Sequence, residues 1–220
     1  SPAGRRRAWR ELVFSDHGVL RLIYDNSHEV APGRLWRSFQ PGPRKLERWR
    51  ERGIRTVVNL RGPKASGSLF LEDEACRRLG LALENFRVYS REAPSKEILH
   101  GARSLFERIE YPALIHCKSG ADRAGLMATL YLFFREGRPL DAAMAQLSWR
   151  YGHVRVGKTG VIDAALEAYI AHARRTGARL DDIDAFFRWV DGTYDPQAVK
   201  DGFRATWWGA LLTERILRRE

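Results

Sequence analysis

At 220 residues the chain is ample for one well-packed domain and short for two. Its hydrophobic content of 44% is ordinary for a globular protein, and no stretch approaches the ~20 apolar residues that cross a bilayer. The net charge of +11 points to an anionic partner: phosphorylated substrates, an anionic membrane surface and nucleic acid all satisfy it. Two cysteines without a pairing framework, Cys76 and Cys117, read as reduced thiols in a reducing, cytoplasmic setting. The chain opens Ser-Pro without a methionine, which leaves an upstream segment open.

Residues 1–18 form a basic arm, Gly4-Arg5-Arg6-Arg7-Ala8-Trp9-Arg10, suited to an anionic lipid surface or to a solvated tail. Strands are predicted over 19–24 and 34–38, separated by the turn-rich Asp25-Asn26-Ser27 and Pro32-Gly33. A charged helix over 44–52 closes at Gly53, and the β-branched run 54–60 fits a buried strand. A helix over 69–79 stops at Gly80, and 81–88 returns to strand. After the loop Tyr89–Pro94, Ser95 caps a helix with Ile98, Ala102, Leu105 and Ile109 on one face. Ala113-Leu114-Ile115 is a short strand. The segment from Leu126 to Phe134 is apolar almost all round, which predicts a central buried helix stopped by Gly137. Helices near 140–150, 160–174 and 181–190 complete a domain over 19–195. Strands alternating with helices predict an α/β fold, a three-layer sandwich around a central, mostly parallel sheet.

Between that strand and that helix lies Ile115-His116-Cys117-Lys118-Ser119-Gly120-Ala121-Asp122-Arg123-Ala124-Gly125. A tight loop entering a helix can aim its amides at an anion, and the helix N-terminus adds partial positive charge. The phosphate-binding set is therefore Lys118, Ser119, Gly120, Ala121, Asp122 and Arg123, with Arg123 able to grip two oxygens in a fork. The same field favours thiolate over thiol at Cys117. A phosphate held against a thiolate is arranged for covalent phosphoryl transfer.

His-Cys-x5-Arg between a strand and a helix resembles the signature loop of the protein tyrosine phosphatase superfamily. Gly33-Arg34-Leu35-Trp36-Arg37-Ser38-Phe39-Gln40-Pro41 and Gly53-Ile54-Arg55-Thr56-Val57-Val58-Asn59-Leu60-Arg61 are similar to two further segments of its bacterial dual-specificity-like members. The three occur in order over about residues 30–136. The resemblance implies the tyrosine phosphatase fold and a metal-independent, cofactor-free phosphomonoesterase. In that reading Cys117 is the nucleophile, Arg123 binds phosphate and the transition state, and His116 orients the loop.

The general acid is open between two carboxylates. Many relatives carry an aspartate on a separate loop near Tyr89–Pro94, where this chain has only Glu92. Asp122 lies inside the signature loop, as an acid does in phosphoinositide-directed relatives such as the myotubularins, and is the favoured candidate. Most relatives follow the arginine with Ser or Thr, whose hydroxyl eases thiolate departure. Ala124 has none, which predicts slow release of the phosphocysteine.

Gly152-His153-Val154-Arg155-Val156-Gly157-Lys158-Thr159 satisfies the Walker A pattern in letters, but it follows a predicted helix and is filled with bulky residues, so it reads as a loop joining two helices, whose His153, Arg155 and Lys158 could line the phosphate site. Residues 196–220 read as an amphipathic helix with Trp207, Trp208, Leu211 and Leu212 on one face, docked on the domain or lying on a membrane. The loop aspartate, Lys118 and the basic surface tilt the expected substrate toward an anionic phospholipid head group, a phosphoinositide or a lipid A phosphate, at the inner face of a membrane. Phosphotyrosine protein is the runner-up, and a phosphate-binding module with weak turnover is a third reading. No nucleic-acid module is recognisable.

Overall fold

In a computed structural model, which describes residues 26–63 and 66–205, the run Ala113–Cys117 is strand β5 at the centre of a five-stranded sheet. The other strands are β1 (His28–Ala31), β2 (Leu35–Phe39), β3 (Thr56–Asn59) and β4 (Ala82–Asn85), in the spatial order β1-β2-β5-β3-β4. β2, β5, β3 and β4 are parallel; β1 folds back on β2 as an antiparallel edge. β1 falls in a stretch that the turn residues on either side had masked. The strand expected over 19–24, the basic arm and the tryptophan stripe at 207–208 lie outside the described residues.

β5 is a continuous apolar run because both of its faces are covered. Ala113, Ile115 and Cys117 face one core, with Val58 of β3, and Leu114 faces the other, with Val57. On the second side lie helices α1 (Pro43–Glu51) and α2 (Gly67–Leu79), contributing Leu46, Trp49, Ala75 and Cys76. The larger core is built by α3 (Lys96–Arg108), α4 (Asp122–Glu136), α6 (Val161–Thr176) and α7 (Ile183–Gly192). The result is the three-layer sandwich expected from the alternation of strands and helices. Cys76 and Cys117 are both buried, free thiols. Burial, reinforced by the Glu72 charge, pushes the Cys76 pKa up to about 12.

Helix α4 is buried from Ala124 to Tyr131 and again at Phe133 and Phe134, so its all-round apolarity reflects a central position. Ser95 caps α3 by accepting from the Ile98 amide. The buried face of α3 is Leu99, Ala102, Leu105 and Phe106. Of the expected stripe, Ala102, Leu105 and Ile109 are buried, while Ile98 is only partly buried and Leu99 takes the core position beside it.

The helix expected over 140–150 breaks. α5 spans only Leu140–Ala143, and 3-10 turns follow at Met144–Gln146 and Trp149–Tyr151. Tertiary demand overrides helical propensity here, because Gln146 and Tyr151 are drawn toward the site. A last helix, α8, covers 196–205. Among the described residues no helix is long and apolar enough to cross a membrane.

Candidate active site

β5 ends at Cys117, 1% exposed, and α4 starts at Asp122, so residues 118–121 turn sharply at the carboxyl edge of the sheet. All four of their carbonyls are held from outside the turn. Lys118 O accepts from the Gln40 amide (3.4 Å) and Ser119 O from Asn26 Nδ2 (2.9 Å). Gly120 O and Ala121 O both accept from Arg37 Nη2 at 2.8 Å. In a planar trans peptide the N–H points opposite to the C=O. Pinning these carbonyls outward therefore turns the following amides, 119 to 122, toward the inside of the turn. Among the described residues the amides of Ser119, Gly120 and Ala121 donate to nothing. Convergent free amides at a helix N-terminus form an anion cradle.

Arg37 is fully buried and spends both ends of its guanidinium on this task. Its Nη1 donates to Gln146 O (2.7 Å) and Gln146 Oε1 (2.9 Å), and its Cζ lies 4.3 Å from the Tyr151 ring centroid. Asn26 also donates to Tyr151 O (2.9 Å). Two glycines permit this closeness. Gly120 has φ +75, and a Cβ there would sit 2.7 Å from Ser38 C; at Gly125 a Cβ would sit 2.8 Å from Leu147 and 3.0 Å from Gln146 O.

The carboxylates follow a different plan. Asp122 Oδ1 lies 2.8 Å from His153 Nδ1, and His153 Nε2 lies 2.6 Å from Asp163 Oδ2. The His153 side chain is wholly buried between the two. Burial works against its charged form, but the hydrogen bonds and the negative charges of Asp122 and Asp163 outweigh it and push its pKa up to about 9. His153 is therefore cationic at neutral pH. Arg155 Nε stands 3.4 Å from Asp163, and its other end pairs with Glu167, away from the turn. Glu92 is ion-paired with Lys200 of α8. Behind the turn, His116 Nε2 is 2.5 Å from Glu72 Oε1, both fully buried, although the approach is off-line for a hydrogen bond. Glu72 in turn accepts from Gln40 Nε2 (3.0 Å), and Gln40 Oε1 accepts from Arg61 (2.9 Å). Among the described residues no group of three His, Cys, Asp or Glu side chains is arranged to hold a metal ion.

Residues 18–158 match the family described as "DSP-PTPase phosphatase fused to NAD+ Kinase", which takes in the whole of this turn and most of its supports. The chain belongs to that family. It is a phosphatase of the protein tyrosine phosphatase superfamily, dual-specificity branch. Among solved structures it is similar to P. aeruginosa TpbA, at 23% identity and a TM-score of 0.52 over 66% of this chain and 84% of that one. TpbA in complex with pTyr gives 22% and 0.53 over 76% of this chain and 91% of that one. A putative phosphatase (DUF442) from Shewanella putrefaciens gives 18% and 0.51, over 66% and 92%. At such identities these likenesses show the fold. No curated protein matches the sequence.

In this dual-specificity phosphatase the structure brings His116, Cys117, residues 118–121, Asp122 and Arg123 into one turn, and it leaves Glu92 on a separate loop beside α8. Sequence reasoning did not find the residues that hold the turn. The one signal for Arg37 was its place in the resembling segment 33–41. Asn26, Gln146 and Tyr151 gave none, since each works through a backbone carbonyl or a ring contact that no spacing encodes. His153 was expected, with Arg155 and Lys158, on a connector that could line the phosphate site, and it does meet Asp122 of the turn.

Proposed function

We propose that the protein hydrolyses phosphomonoesters through a phosphocysteine at Cys117. The Cys117 thiolate attacks phosphorus, a P–S bond forms, and the bond from phosphorus to the ester oxygen breaks. Arg123 and the amides of residues 119 to 122 hold the non-bridging oxygens and the charge that spreads over them. Water then attacks phosphorus, the P–S bond breaks, and phosphate leaves with the thiolate restored. The observation that carries this reading is the outward pinning of all four carbonyls of residues 118–121, which leaves the amides of Ser119, Gly120 and Ala121 for an anion beside a cysteine.

The proton for the leaving oxygen is assigned to Asp122, drawn from the Asp122–His153 pair, in which His153 is the store. Glu92 is the alternative acid; it stands on a separate loop outside the Cys117 turn, beside Lys200. For the substrate we favour an anionic phospholipid head group, on the strength of Lys118 in the loop, the carboxylate inside it and the net charge of +11. Phosphotyrosine protein is a second reading, favoured by the complex of TpbA with pTyr.

The test is phosphate release, without added metal, from a panel of phosphorylated lipids and from a phosphotyrosine peptide. Wild type is compared with Cys117→Ser, Asp122→Asn and Glu92→Gln. Release from lipid that disappears with Cys117→Ser, falls with Asp122→Asn and survives Glu92→Gln is expected. Peptide preference with dependence on Glu92 would replace both the substrate and the acid, and release unaffected by Cys117→Ser would remove the mechanism.

A further inference from the structure

Beside the turn lies a cavity of about 450 Å³ lined by Arg91, Glu92, Lys158, Val161, Lys200, Phe203 and Arg204. Its walls come from three elements. Arg91 and Glu92 sit on the loop that leaves β4, Lys158 begins the 3-10 turn that leads into α6 and Val161 opens α6, and Lys200, Phe203 and Arg204 lie on α8. The β4 loop leaves the same carboxyl edge of the sheet as the Cys117 turn, since β3, β4 and β5 are parallel. Val161 stands two residues before Asp163, which reaches Asp122 through His153. The cavity thus shares the carboxyl edge of the sheet with the phosphate turn, linked to it through the Asp163–His153–Asp122 chain.

Its charge is unbalanced. Four cations line it against one carboxylate, and that carboxylate, Glu92, is taken by Lys200. Arg91, Lys158 and Arg204 form no ion pair among the described residues. What sets these three apart is their convergence on one concave space, since elsewhere on the surface arginines occur both paired, as Arg78 with Glu47 and Arg108 with Glu84, and without an ion pair. Three unmatched cations around one concave space repel one another, and an anion placed between them relieves that repulsion and is focused there by the concavity. Guanidinium groups at two points and an ammonium at a third suit the oxygens of a phosphoryl group. Val161 and Phe203 offer an apolar wall for the carbon frame that carries it.

We propose that this cavity is a second phosphoryl subsite, so that the preferred substrates carry two phosphate groups, one at the Cys117 turn and one between Arg91, Lys158 and Arg204. This deepens the hydrolase reading above and rests on it. The same chemistry could arrive on a free cyclitol or sugar bisphosphate or on a lipid head group.

The experiment compares KM for a bisphosphate and the matching monophosphate in two forms, the free inositol phosphate and the lipid in neutral vesicles. It uses wild type and the Lys158→Ala/Arg204→Ala double variant. Wild type is expected to bind the bisphosphate about tenfold better, the worth of ~1.4 kcal/mol. The double variant should lose that preference and keep its kinetics on the monophosphate. Preference in both forms makes the phosphate itself the ligand; preference only in vesicles that survives the double variant places recognition at the membrane and overturns the proposal. Equal KM values for mono- and bisphosphate in wild type also overturn it. If wild type hydrolyses nothing, the hydrolase reading has failed instead, and calorimetry with inorganic pyrophosphate decides the cavity. Binding that survives Arg123→Ala and is weakened about tenfold by the double variant supports it, and any other result overturns it.

Discussion

Replacing His153 by Gln removes the cation between Asp122 and Asp163 while keeping a planar polar group in its place. A histidine in the unfolded chain titrates near 6.5, whereas His153 in the folded protein is held up at about 9. Between those values the folded state binds a proton that the unfolded state does not. The stabilisation is complete below 6.5 and is lost as pH rises through about 9. At ~1.4 kcal/mol per pH unit, the gap between the two values amounts to about 3 kcal/mol. The assay is urea denaturation followed by tryptophan fluorescence at pH values from 6 to 10, for wild type and His153→Gln. Titrating groups outside the Asp122–His153–Asp163 cluster are common to both proteins and cancel in the difference. That difference should be largest near pH 6 and shrink by about 3 kcal/mol by pH 10. A difference that stays constant across the range, or grows with pH, would refute the reasoning that two carboxylates hold His153 charged.

Arg37→Lys keeps the charge but loses the fork that ties Gly120 O and Ala121 O to Gln146. It should lower the melting temperature and reduce kcat/KM on a simple aryl phosphate by about a hundredfold through displacement of the turn. Normal turnover in that variant would show that the turn holds its own shape. Gly120→Ala forces a side chain to φ +75, costing about 1–3 kcal/mol before its 2.7 Å contact with Ser38 is counted. Equilibrium unfolding should show at least that loss, together with weak phosphate inhibition. Ala124→Ser restores a hydroxyl next to Arg123 and should shorten the life of the phosphocysteine. Rapid-quench kinetics should show a smaller initial burst and a faster steady state, and an unchanged burst would mean that Ala124 does not limit release. His153→Gln should slow an alkyl phosphate more than an aryl phosphate whose leaving group needs no proton, if His153 stores the acid's proton; equal slowing would make it purely structural.

The sequence by itself determined the layers and the position of the turn. Local hydrophobic pattern is enough to mark β5 and α4, because a strand covered on both faces and a helix buried all round are apolar wherever they are read. Strong local punctuation, Ser95 before α3 and Gly80 and Gly137 after α2 and α4, fixed several ends. The order Cys117, loop, Arg123 is likewise contiguous, so it needs no tertiary knowledge. Tertiary structure decided everything that joins distant residues. Arg37 meets Gly120 across 83 positions and Asn26 meets Tyr151 across 125, and neither contact leaves a periodic trace. The predicted helix over 140–150 broke because its backbone carbonyl at Gln146 and the ring of Tyr151 serve Arg37, a demand external to the segment. The state of the two candidate acids was decided in the same way. Whether a carboxylate is pinned by a histidine, as Asp122 is, or by a lysine, as Glu92 is, depends on what the fold sets beside it. Electrostatic character belongs to the neighbourhood of a residue, and only the folded chain supplies the neighbourhood.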